Sequence, residues 1–86
     1  MSTEEPDLAW VLEGYSKADD TLRTQHPISR EQILRLREVI RPDMDDPWMV
    51  HSYPVSDELW PAVNAILRCG RPHPELEYLT GAYEDR

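Results

Sequence analysis

A chain of 86 residues has room for one domain built around one core, and not for two. Seventeen acidic residues against nine basic ones give a formal net charge of −8. That charge disfavours nucleic-acid phosphates and anionic membrane surfaces, and favours a basic protein partner through long-range steering.

The single cysteine excludes a disulfide framework, and no apolar run is long enough to span a bilayer. The segment Met1-Ser2-Thr3-Glu4-Glu5-Pro6 lacks the basic and apolar regions of a signal peptide, so a soluble, cytoplasmic domain is expected. Residues 1–86 are read as one domain with flexible ends at 1–7 and 84–86.

Leu8 to Lys17 carries Trp10, Val11, Leu12 and Tyr15, side chains that suit a pleated surface, and predicts a strand. Ala18-Asp19-Asp20 signals a turn. Leu22, Thr24, His26 and Ile28 then recur at period two, so the two segments predict a β-hairpin, with Pro27 near the end of its strand. Ser29 and Gln32 form a capping-box pattern ahead of Arg30 to Arg41, where Ile33, Leu36 and Ile40 lie on one helical stripe widened by Leu34 and Val39. Pro42 stops this helix, and Pro42 to Pro47 is a loop.

Trp48 to Tyr53 predicts a third strand, terminated by Pro54. Ser56-Asp57-Glu58 opens a second helix with acids in its first turn, where the helix dipole favours them. Leu59, Trp60, Val63, Ile66 and Leu67 form its apolar stripe. Pro61 is tolerated only in the first turn, so the helix must start late, and Cys69-Gly70 ends it with Gly available for a left-handed cap. Arg71 to Pro74 is a stiff linker, and Glu75 to Tyr83 predicts the last strand. The expected fold is α+β, in the order β-β-α-β-α-β, with a mixed four-stranded sheet and both helices on one face.

The charges are unevenly placed. Residues 1–20 hold six acids and one base, residues 42–67 five acids and no base, and residues 75–86 four acids and one base. Arg23, Arg30, Arg35, Arg37 and Arg41 account for five of the nine bases. Asp43, Asp45 and Asp46 beside Trp48 read as an acidic rim next to an aromatic anchor, the combination found at binding hot spots. Asp57 and Glu58 extend this candidate partner-binding set. Trp60 and Trp10 are expected in the core, and Trp48 is left open between core and interface.

Motifs for chemistry are not found. The Asp43-x-Asp45-Asp46 run lacks the glycine and terminal glutamate of a calcium loop, and Cys69 with His73 has no second pair for zinc. His51 is the one mid-strand candidate for acid–base work, and no glycine-rich phosphate loop or nucleophile elbow occurs. No catalytic residue, cofactor or metal is assigned, and the chain is read as a binding protein rather than an enzyme.

The hairpin around Ala9-Trp10-Val11-Leu12-Glu13, the segment Asp46 to Val55 and the closing Leu76-Glu77-Tyr78-Leu79 resemble the small acidic α/β immunity proteins of bacterial polymorphic-toxin and contact-dependent inhibition systems. The resemblance spans most of the chain as a pattern. It implies a cytoplasmic inhibitor that blocks the active site of a basic toxin or nuclease domain, and it fixes no binding residue. A small enzyme is a further reading, which would need a pocket joining His51 to a carboxylate, and two other non-enzymatic readings stand beside the inhibitor. One is a small adaptor or accessory subunit, which exposed apolar helix surface would favour. The other is a DNA mimic, against which the arginines from Arg23 to Arg41 weigh.

Overall fold

The computed structural model describes residues 8–84. Its elements are β1 (Leu8–Ser16), β2 (Leu22–Ile28), α1 (Arg30–Ile40), β3 (Tyr53–Val55), α2 (Trp60–Leu67) and β4 (Leu76–Glu84). The class, the element order and the two helices on one face are those expected from the sequence. The sheet order is β2-β1-β4-β3, and each pairing is antiparallel rather than mixed. The last strand inserts between the first and third, so the helix between β3 and β4 joins antiparallel neighbours and no parallel crossover is needed. The predicted tails 1–7 and 85–86 lie outside the described residues. Glu84, expected in the flexible end, pairs with Leu8.

The capping box is formed. Ser29 Oγ accepts from the Gln32 amide at 3.1 Å, and the Ser29 amide donates to Gln32 Oε1 at 2.8 Å. α1 closes at Arg41, which adopts a left-handed conformation with φ 58° and donates its amide to the Arg37 carbonyl. Pro61 sits in the first turn of α2, as its missing amide requires. The left-handed cap of α2 falls on Arg68, φ 54°, rather than on glycine. Gly70 also has positive φ, and its amide donates to Asn64 Oδ1 at 2.9 Å.

The third strand differs most from expectation. Trp48 to Ser52 is not extended, and β3 is the short segment Tyr53-Pro54-Val55. Met49 takes a left-handed backbone, φ 50°, and the Val50 and His51 amides donate to the Asp46 side chain instead of to a sheet ladder. Pro54 lies inside the strand rather than ending it. β3 is an edge strand, where a residue without an amide hydrogen is tolerated, and the same applies to Pro27 on β2 at the opposite edge.

The core lies between the helices and one face of the sheet. Trp10 and Leu12 of β1, Ile28 of β2 and Val55 of β3 meet Ile33 and Leu36 of α1 and Trp60, Val63 and Leu67 of α2. Met49 from the long loop completes it, fully buried. Thr80 is buried at the centre, and its hydroxyl accepts the Tyr53 amide at 3.2 Å. Gly14 lies in close packing, where a Cβ would collide with Thr24 Oγ1 and crowd the Tyr78 ring at 3.1 Å, so a larger residue makes these side chains shift.

Candidate interaction surface

The segment between α1 and β3, residues 41–52, contains four of the six residues singled out as a partner-binding set. It begins where Pro42 stops α1. The Asp46 amide then donates to the Asp43 carbonyl at 2.9 Å, and the Met49 amide to the Asp46 carbonyl at 3.1 Å. The Asp46 side chain turns inward and is 4% exposed. Its carboxylate accepts the Val50 amide at 2.8 Å, the His51 amide at 3.0 Å and the Tyr53 hydroxyl at 2.5 Å. The same hydroxyl oxygen accepts the Asp43 amide at 3.3 Å. One carboxylate thus gathers both ends of the loop, and each buried polar atom of Asp46 has partners.

Two opposing effects act on the Asp46 carboxyl. Burial pushes its pKa up, while the Tyr53 hydroxyl and the His51 and Val50 amides, with the His51 charge, hold it down. The hydrogen bonds win, and the group is held below the usual carboxylate value. Tyr53 is raised, first by burial and then by donating to the Asp46 anion.

The expected rim of three carboxylates is therefore corrected to two. Asp43 and Asp45 are exposed, whereas Asp46 is a fastener of the loop. Trp48 is half-buried and packs against the core rather than standing out as an aromatic anchor. Its carbonyl accepts the Trp10 indole Nε1 at 2.8 Å, and its ring lies 6.3 Å from that of Trp10. The guanidinium carbons of Arg30 and Arg37, two turns apart on α1, lie 5.2 and 5.6 Å from the centre of its ring. These cation–π contacts direct two of the arginines onto an aromatic face. Asp57 and Glu58 are exposed on the turn before α2. Asp57 lines a separate groove with Pro54, Pro72, His73 and Leu79, so the six residues do not form one site.

One exposed residue was not singled out in the sequence. Met44, between Asp43 and Asp45, is 101% exposed, as open as in an extended chain. It borders a depression shared with Leu34, Arg37, Arg41, Pro42 and Pro47. Leu34 on α1 and Val50 on the loop are also exposed, at 39% and 47%. The readable signal was a lone apolar residue between two aspartates in a proline-bounded loop.

The other groups considered for chemistry are spread out. His51 is exposed and contributes its backbone to Asp46. The His73 ring nitrogen Nδ1 accepts the Glu75 amide at 3.2 Å. Burial raises the Cys69 thiol pKa, which suits a packing role. Among the described residues no group of three or more His, Cys, Asp or Glu side chains is placed to hold a metal ion, and no helix is long and apolar enough to cross a membrane.

A family model described as a domain of unknown function, DUF7683, matches residues 9–68. The chain belongs to this family. The matched stretch runs from β1 through α2 and includes the whole Asp46-fastened loop, while β4 falls beyond it. No curated protein and no solved structure matches the chain.

Proposed function

We propose that this domain is a cytoplasmic protein-binding module of the immunity type, which docks on a basic partner such as a toxin or nuclease domain and blocks it. The observation that carries this reading is the fully exposed Met44 held between exposed Asp43 and Asp45 on a loop fastened from within by Asp46. A methionine side chain adapts to irregular apolar surfaces, and a preformed loop loses little entropy on binding. The flanking carboxylates and the net charge of −8 steer a basic surface toward that tip. Catalysis forms no part of the proposal.

A second reading, an accessory subunit, draws on Leu34 and Val50, which place further apolar surface in the open. A permanent subunit would hold its partner through that apolar surface and resist salt. A DNA mimic is disfavoured, because Arg37 and Arg41 share a depression with Asp43 and interrupt any acidic track.

Affinity capture from the native host, eluted with a salt gradient, separates these readings. The inhibitor reading expects one stoichiometric basic protein released at moderate salt, since exposed charge contacts are screened within about 10 Å at 0.1 M. Retention to high salt favours the subunit. Capture of nothing in a native-host lysate that contains the candidate basic domain overturns both.

A further inference from the structure

Among the described residues, sulfur occurs at Met44, Met49 and Cys69, and the fold treats the three differently. Met49 is fully buried in the core. Cys69 is half-buried against that core, and burial raises its thiol pKa, so little reactive thiolate is present. Met44 is fully exposed.

The exposure of Met44 is built by its neighbours. The Asp46 amide donates to the Asp43 carbonyl and closes a four-residue turn, with Met44 and Asp45 at its two central positions. The Asp43 amide donates to the Tyr53 hydroxyl, and the Asp46 carboxylate accepts from three donors. Both ends of the turn are tied to the fold by bonds that owe nothing to the Met44 side chain. The thioether buries no surface in the fold, so a change in its polarity disturbs no packing. Hydrogen peroxide is uncharged, so the flanking Asp43 and Asp45 carboxylates do not repel it, whereas they disfavour anionic oxidants.

We propose that Met44 is a modification site for hydrogen peroxide, and that its reversible oxidation to the sulfoxide turns an apolar tip polar and releases the docked partner. The sulfur lone pair attacks one peroxide oxygen, the S–O bond forms and the O–O bond breaks. The second oxygen takes the proton of the first and leaves as water. Sulfur loses two electrons and the peroxide gains them. Methionine sulfoxide reductase reverses the step with a dithiol, which becomes a disulfide while the sulfoxide oxygen leaves as water. The sulfoxide is a strong dipole that must shed water to enter an apolar pocket, which the thioether need not do. The release rests on the docking reading proposed above; the selectivity of the oxidation does not.

The test treats the folded full chain with dilute hydrogen peroxide and places each added oxygen by tandem mass spectrometry. Met44 is expected to convert at least about tenfold faster than Met49, which is reached only through opening of the fold. The Tm is expected to stay within about 3 °C, as for a change at an exposed position. The basic protein captured from the native host is expected to bind the oxidised chain about tenfold more weakly, the effect of losing one apolar interface anchor. Reductase treatment restores both mass and affinity. Met44→Leu keeps an apolar tip without sulfur, and its binding is expected to survive peroxide.

Oxidation of Met49 or Cys69 as fast as Met44, or a clear fall in Tm on oxidation, overturns the proposal and leaves the docking reading standing. So does an unchanged affinity of the oxidised chain where replacing Asp43, Met44 and Asp45 together weakens binding. Unchanged affinity in both cases overturns the docking reading and the switch with it, as does capture of no partner by the untreated chain.

Discussion

Asp46→Ala is expected to lower the stability of the domain by about 3 kcal/mol, because it removes the shared acceptor of the Val50 and His51 amides and the Tyr53 hydroxyl. In a domain of this size that is a fall in Tm of roughly 15 °C. The three hydrogen bonds to the carboxylate close the segment from Asp46 to Tyr53, and Met49 sits inside that segment with its side chain fully buried. Releasing the carboxylate therefore loosens the loop and withdraws a core side chain together.

The pH dependence follows from the same geometry. The folded Asp46 carboxyl titrates below its unfolded value, so its contribution is complete above the usual carboxylate range. It is lost as pH falls through the folded value. Asp46→Asn should remove this part of the acid-limb slope, and denaturant unfolding at several pH values measures it. A variant as stable as the parent at neutral pH would mean the loop is held by something other than Asp46.

Trp60→Ala is expected to cost about 3–5 kcal/mol, the range for removing a large aromatic from a core. Stabilities of small domains are about 5–15 kcal/mol, so this loss is a large fraction of the whole and a clear fall in Tm is expected. The ring lies at the start of α2, 7% exposed, with its centre 4.6 Å from that of Tyr78 on β4. Its indole Nε1 donates to the Gly70 carbonyl at 2.9 Å and so fixes the linker after α2. Trp60→Phe keeps most of the packing and loses the donor, for which about 1–2 kcal/mol is expected. Thermal unfolding followed by circular dichroism checks both values. Equal losses in the two variants would show that the hydrogen bond, not the packing, dominates.

Much of the fold was legible because it is written locally. Ser29 and Gln32 announce α1, the apolar stripes mark both helices, and Pro61 dates the start of α2. What was not legible depends on contacts distant in sequence. β4 inserts between β1 and β3, and nothing near Leu76 to Glu84 encodes that position. Trp48 to Tyr53 has the composition of a strand, but Asp46 takes the amides of Val50 and His51 before a ladder can.

The candidate surface divides in the same way. Asp43, Asp45 and Asp46 are indistinguishable as residue types, and the donors that turn Asp46 inward, the Val50 and His51 amides and the Tyr53 hydroxyl, are assembled only by the folded loop. Trp48 looked like an anchor because tryptophan is common at interfaces. The arginine stripe of α1 and the Trp10 indole hold it against the core instead.

The most direct test is the dissociation constant of the captured basic partner for the parent chain and for the triple variant Asp43→Asn, Met44→Ser, Asp45→Asn. All three positions are exposed, so the fold is expected to survive. The account predicts an affinity loss of at least about tenfold, in line with removing a hot-spot residue and two steering charges, together with a shallower salt dependence. Affinities that agree within about twofold, with the same salt dependence, would contradict it.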